Sequence, residues 1–152
     1  MAEPLDSALG WVAAHTRRYV ETDGAEGHIW PAPEGVDVGV ESAPCAVLTT
    51  TGRRSGQARR NALIYGQDGG NYVLVASYGG APQHPLWYEN LLADPKVGLQ
   101  VGAQKLTGVA RTANAEERAR LWPLMTGLWP DYDKYQAKTD REIPVVIVEP
   151  AG

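Results

Sequence analysis

Along the first 20 residues Leu5, Leu9, Val12, Thr16 and Val20 recur at helical spacing, while Asp6, Arg17, Arg18 and Glu21 fall off that stripe. The pattern predicts an amphipathic helix over residues 1–22. From 23 to 43 the chain turns to Gly, Pro, Asp and Glu without periodicity, which reads as a surface loop. Beyond it, short β-branched runs alternate with turn residues. Strands are expected over 45–51, 60–66, 72–77, 96–101, 104–112 and 144–149, with Gln67-Asp68-Gly69-Gly70 as a turn. Helices are expected over 85–93, over 130–138, and from Asn114 as N-cap through Trp122, with Glu116 and Glu117 in the first turn as the helix dipole favours. Strands in hairpin order with interspersed helices favour a mainly β (α+β) fold: a small antiparallel β-barrel over 44–152, decorated by helices, and not a parallel βαβ sheet.

Composition narrows the class. A chain of 152 residues with 43% hydrophobic and 21% charged residues suits one domain with one core. Its apolar runs, such as 73–76 and 145–148, are strand-sized and far short of the roughly 20 residues that cross a bilayer. The N-terminus lacks a charged-then-apolar pattern, and Cys45 is the sole cysteine, so a reducing cytoplasm is expected and neither an intramolecular disulfide nor a thiolate metal cluster. Cys45 itself reads as a small buried residue at a strand start. His15, His28 and His84 are too far apart for a His-x-x-x-His metal pattern, and no Gly-x-Ser-x-Gly nucleophile turn occurs. No metal is expected. A net charge of −4 argues against nucleic acid as a partner. Yet Arg53, Arg54, Arg59 and Arg60 crowd one short stretch, which suggests a local anionic ligand.

Three segments carry candidate chemistry. In 49–59 two glycines let the backbone turn tightly, Ser55 offers a hydroxyl, and the arginines offer guanidinium forks suited to phosphate oxygens, although neither a Walker loop nor a dinucleotide fingerprint is present. A solvated hairpin is the alternative. Ala76-Ser77-Tyr78-Gly79-Gly80 ends a strand where glycines free backbone N–H groups to face a planar ring, or simply turn the chain. Trp129, Tyr132 and Tyr135 recur at i, i+3 and i+6, as a core stripe or as hydroxyls that orient or protonate a substrate.

Taken in order, the pieces 48–56, 61–63, 75–80, 85–91 and Thr139-Asp140-Arg141 ahead of Ile143-Pro144 resemble the deazaflavin (coenzyme F-420)-dependent nitroreductase family of actinobacteria. The resemblance implies a split β-barrel like that of FMN-binding reductases. It also implies site roles. Arg53, Arg54, Ser55, Gly56, Arg59 and Arg60 would hold the cofactor's phosphate and glutamate tail. Asn61, Ala62, Leu63 and Ile64, together with Leu86, Trp87, Tyr88, Glu89 and Asn90, would line its groove. Val75, Ala76, Ser77, Tyr78 and Gly79 would supply backbone donors to the ring. Ile64, Trp129 and Tyr132 would shape the acceptor pocket, and Ser77, Tyr132 and Tyr135 would act in catalysis. Asn61-Ala62-Leu63-Ile64 departs from the family's frequent Asn-Pro-Leu-Tyr, and Tyr78 stands where a basic residue is common.

The function this implies is hydride transfer from reduced F-420 to a hydrophobic acceptor such as a quinone, an enone or a nitro compound. An FMN reductase or oxidase on the same barrel, or a non-catalytic flavin carrier, is the alternative. The protein is expected to be a monomer or a homodimer in the cytoplasm, with peripheral membrane contact as a further role. Because the stripe of the 1–22 helix is narrow and a polar loop follows it, the helix is expected to cover the acceptor side without building the barrel. A chain lacking it is expected to fold.

Overall fold

The computed structural model describes residues 5–6, 10–31 and 42–151. Among the described residues nine strands and four α-helices follow in the order β1 (Leu5–Asp6), α1 (Gly10–Glu21), β2 (Ile29–Pro31), β3 (Ser42–Thr51), β4 (Ala58–Ile64), β5 (Gly66–Asp68), β6 (Asn71–Val75), α2 (Leu86–Ala93), β7 (Lys96–Val101), β8 (Gln104–Thr112), α3 (Ala115–Leu128), α4 (Asp131–Ala137) and β9 (Val145–Pro150). The strands form one sheet in the order β1-β4-β3-β7-β8-β9-β6-β5, with β2 added to β3. Every ladder is antiparallel except the two-residue β1 against β4. The path curls until β4 and β6 touch without pairing, and this unpaired seam is the split of the barrel.

Alternation along β3 explains the two sides of the barrel wall, because successive side chains point to opposite faces. Ala46 and Leu48 enter a core with Leu74, Leu99, Val146 and Val148, on which α2 sets Trp87, Tyr88 and Leu91. Cys45 and Val47 face the other way and meet Tyr19 of α1. A second core, beyond β6 and β9, gathers Val73, Val75, Leu121, Met125, Tyr132, Val145 and Ile147 under α3 and α4.

The N-terminal region departs from its sequence pattern. The helix begins at Gly10, Leu5–Asp6 is a strand, and the expected loop 23–43 carries β2 and the first residues of β3; Leu9 and the loop residues 32–41 lie outside the described residues. More importantly, α1 is part of the barrel. Thr16 and Tyr19 are fully buried. Thr16 Oγ1 accepts the Ala62 N–H of β4 at 3.0 Å. The Tyr19 hydroxyl donates to the Cys45 carbonyl at 2.8 Å and accepts the Gly102 N–H at 2.6 Å, so it ties β3 to the β7–β8 turn. The expectation that this helix only covers the barrel is corrected, because the helix supplies partners to backbone groups of β3, β4 and the β7–β8 turn. The smaller difference at 66–68 has a simple cause: Gly66–Asp68 pairs with Asn71–Val73, so the turn contracts to Gly69-Gly70.

α3 starts as its N-terminal sequence dictates. The Asn114 side chain accepts the Glu117 N–H at 2.9 Å while the Glu117 carboxylate accepts the Asn114 N–H at 3.0 Å, a reciprocal cap. The same carboxylate holds Arg111 of β8 through two bonds of 2.7 and 2.8 Å, and this pairing first, then the Asn114 N–H, depresses the Glu117 pKa to about 2. A depressed carboxylate stabilises the fold above its unfolded pKa near 4.5, and that contribution disappears as pH falls toward 2. Glu117→Gln, which keeps the cap, is expected to melt earlier than wild type at pH 7 and identically near pH 2. A difference that persists at pH 2 defeats the ionic account.

Candidate active site

The arginine loop is a closed turn. Gly52 N–H donates to the Gln57 carbonyl and Gly56 N–H to the Gly52 carbonyl, both at 2.8 Å, and Gly56 has the positive φ of 72° that the reversal requires. Ser55 is drawn inward, its Oγ accepting the Gln57 N–H at 3.1 Å. Asn90 of α2 anchors the loop from beneath: Oδ1 accepts the Arg53 N–H at 3.1 Å and Nδ2 donates to Thr50 Oγ1 at 3.3 Å. Glu89 meets the Arg53 guanidinium at 3.2 Å. Arg54 and Arg59 are exposed and have no partner among the described residues. The loop and the start of β4 thus present two cations, Arg54 and Arg59, without partners among the described residues.

The run Arg59–Ile64 does not act as one surface. Pairing sets Arg59, Asn61 and Leu63 opposite Thr50, Leu48 and Ala46, on the core-facing side of the sheet, and Arg60, Ala62 and Ile64 opposite Thr49, Val47 and Cys45, on the α1 side. Among the predicted groove residues of α2, Trp87 and Tyr88 are buried in the barrel core, and the Tyr88 hydroxyl is engaged with Thr112 Oγ1 at 2.7 Å. Leu86, by contrast, is 70% exposed. So α2 contributes mainly by holding the arginine loop.

At the end of β6 the chain passes from Val75 through Ser77 into a 3-10 turn at Tyr78–Gly80. Tyr78 takes a left-handed φ of 48°, unusual for a residue with a side chain and a form of strain that gathers at functional sites. α4 packs directly on this turn: a Cβ at Gly80 would lie 2.6 Å from the Tyr135 carbonyl oxygen. The Ser77 hydroxyl is partly exposed and makes no hydrogen bond among the described residues.

The aromatic residues do converge. Trp129 Nε1 lies 3.4 Å from the Tyr135 hydroxyl, the Tyr132 and Tyr135 rings meet edge to face at 6.1 Å, and Ile64 packs on the same cluster. Trp122, which the sequence pattern placed only as a helix residue, joins them with its ring 6.3 Å from Tyr132. Tyr132 is 5% exposed, and burial foremost raises its pKa, so the phenol stays protonated. Its hydroxyl has no protein partner among the described residues, none of which has a sealed side-chain polar atom left unpaired. The hydroxyl is therefore not sealed from solvent.

Cys45 is 3% exposed and burial pushes its thiol up to about 12, so it serves as the small core residue expected at a strand start. A separate groove of about 420 Å³ on the outer wall, lined by residues that include Thr49, Thr51, Lys96, Gly98 and Thr107, contains none of these site residues. No described helix is long and apolar enough to cross a membrane.

The residues at hand fit an anionic, planar cofactor: free guanidinium groups at one station, unpartnered donors at another, and an aromatic wall beyond. Known proteins agree. A sequence profile of the F420H(2)-dependent quinone reductase family matches residues 11–150. An F420H(2)-dependent quinone reductase of Mycobacterium tuberculosis is 36% identical over 137 residues, covering 88% of this chain and 86% of its own. Among solved structures, an F420-H2 dependent reductase is 46% identical with a TM-score of 0.66 over 70% of this chain and 94% of its own. Another, described as a domain-swapped dimer, is 39% identical with a TM-score of 0.67 over 94% of this chain and all of its own. A Listeria innocua protein named for pyridoxamine 5'-phosphate oxidase, only 15% identical, shares the fold alone, with a TM-score of 0.53 over 71% of this chain and 84% of its own. The fold is the FMN-binding split barrel, and by the extent of the profile match and the identity to its members the chain belongs to the F420H(2)-dependent quinone reductase family.

Proposed function

We propose that the protein reduces a quinone with hydride from reduced F-420, holding the cofactor along the seam between β4 and β6 with its anionic tail at the arginine loop and its ring at the end of β6. The observation that carries this placement is the pair of guanidinium groups, Arg54 and Arg59, that have no partner among the described residues of an acidic chain. FMN chemistry has only the shared barrel in its favour, at 15% identity.

Reduced deazaflavin supplies two electrons at once, as hydride from ring carbon C5. The protein's own part is binding, orientation and protons. Arg54 and Arg59 would hold the phosphate and carboxylate oxygens by charge-assisted hydrogen bonds, beside the Arg53–Glu89 pair. Ser77 and Tyr78 orient the ring edge through the backbone. Ile64, Trp129 and Tyr132 exclude water around the acceptor, which strengthens every polar interaction there. The Tyr132 hydroxyl, held protonated, and the Ser77 and Tyr135 hydroxyls meet the negative charge that develops on the quinone oxygen. A lipid-soluble quinone also calls for peripheral membrane contact, and exposed Tyr78 and Leu86 support it. Cytoplasmic placement is supported by the single buried thiol.

Fluorescence titration tests the tail assignment. Arg54→Ala is expected to weaken F-420 binding roughly tenfold to a hundredfold, the range for loss of a charge-assisted bond, and to flatten its salt dependence. The tail-less deazaflavin riboside should bind Arg54→Ala as it binds wild type. Unchanged F-420 affinity in both Arg53→Ala and Arg54→Ala removes the tail from this loop.

A further inference from the structure

Arg141 lies in the loop between α4 and β9, between Asp140 and Glu142, where the sequence marks it only as part of a resemblance. Its side chain is turned inward. Nε donates to the Ala81 carbonyl at 2.8 Å and Nη2 to the Ser77 carbonyl at 2.7 Å, while Nη1 reaches the Ala76 carbonyl at 3.3 Å and His84 Nδ1 at 3.1 Å. One planar fork thus grips the β6 end before, within and after the Tyr78 turn. Its mount is rigid as well. Gln136 Nε2 donates to the Arg141 carbonyl at 2.8 Å, and Gln136 Oε1 accepts from Arg118 and from the Ile143 N–H, each at 2.9 Å.

The direction of these bonds has a chemical result. In a planar trans peptide the N–H points opposite to the C=O. With the Ala76 and Ser77 carbonyls drawn to Arg141, the Ser77 and Tyr78 N–H groups face away from it. Ser77 is right-handed helical, at φ −76° and ψ −38°, and Tyr78 is left-handed, the alternation that turns successive N–H groups to one side as a concave cradle for a negative oxygen. Neither N–H has a protein acceptor among the described residues. A lysine would keep the charge but not the fork.

We propose that Arg141 is the positioning residue of the ring site: it captures the Ala76 and Ser77 carbonyls and thereby aims the Ser77 and Tyr78 N–H groups as a pair of donors at a carbonyl oxygen of the deazaflavin ring. The proposal deepens the F-420 reading and rests on it for the identity of the acceptor oxygen. It separates the two stations of the site, since Arg54 acts on the tail and Arg141 on the ring.

The test uses F-420 and the tail-less deazaflavin riboside as probes, with binding read by fluorescence titration. Arg141→Lys is expected to weaken both at least tenfold and to speed amide hydrogen exchange across 77–81 in the cofactor-free protein. Ser77→Pro, whose φ suits proline and which deletes one of the two N–H groups, is expected to bind the riboside at least tenfold more weakly than Ser77→Ala, which deletes only the hydroxyl. Wild-type affinity in Arg141→Lys, a loss confined to F-420, or equal riboside binding by the two Ser77 variants overturns the proposal. Should Arg141→Lys lose cooperative unfolding, the Ser77 pair decides. Should wild type bind neither probe, the cofactor reading fails by itself, and amide exchange decides the role of Arg141: faster exchange in Arg141→Lys keeps the positioning, and unchanged exchange removes it.

Discussion

Tyr19→Ala is expected to cost about 3–5 kcal/mol of folding stability, as for removal of a large buried aromatic side chain. Tyr19 is fully buried against Cys45 and Val47, on the opposite side of the barrel wall from the main core. Two effects add there. The ring fills space between α1 and β3, and the hydroxyl satisfies both the Cys45 carbonyl and the Gly102 N–H. Tyr19→Phe isolates the second effect and is expected to cost about 1–3 kcal/mol, because it leaves backbone groups without their partner. Urea unfolding followed by tryptophan fluorescence separates the two. If Tyr19→Ala unfolds at the wild-type urea midpoint, α1 is an appendage after all, and the barrel stands without it.

Tyr132→Phe is expected to lower quinone turnover about a hundredfold to a thousandfold, the range for removal of one preorganised donor to a developing oxyanion. The structure makes this substitution unusually clean. The Tyr132 ring sits in the core beneath α3 and α4, but its hydroxyl makes no hydrogen bond among the described residues. Phenylalanine therefore keeps the packing and breaks no bond of the fold, so the melting temperature should stay near wild type. Because the hydroxyl is not sealed from solvent, a donor without a protein partner stays open to a substrate. Steady-state oxidation of reduced F-420 by menadione, beside a fluorescence titration of cofactor affinity, distinguishes loss of turnover from loss of binding. Turnover at the wild-type rate would reduce Tyr132 to a wall of the pocket.

Much of the barrel was legible because strands are local objects. β-branched runs bounded by Gly, Asn and Asp appear at Lys96–Val101 and Gln104–Thr112, and both strands fall there. The cap of α3 was equally plain, since Asn114 and Glu117 recognise each other within one turn. The N-terminal helix misled for a reason of the same kind. Its apolar stripe was counted through Leu5, Leu9, Val12, Thr16 and Val20; Thr16 and Val20 do face the barrel, but the fully buried anchor between them is Tyr19, with His15 buried beside it. Tyrosine and histidine count as polar in a periodicity argument. Their burial depends on distant backbone groups, the Cys45 and Gly27 carbonyls, that no local pattern contains.

The candidate site divides in the same way. Sequence by itself determined the chemistry available: a cluster of four arginines on an acidic chain, a glycine-bearing strand end, and three aromatic residues at helical spacing, because residue type and spacing are properties of the chain. Tertiary structure decided which of those groups remain free to act. It turned Trp87 and Tyr88 into core, bound Asn90 and Ser55 into the loop's own frame, and left the Arg54 and Arg59 side chains and the Tyr132 hydroxyl without partners among the described residues. It also raised Arg141 from one of fourteen basic residues to a clamp on three carbonyls. The physical reason is that a hydrogen-bonding group becomes available or committed only when the fold brings, or withholds, its partner, and those partners lie some 60 residues away along the chain.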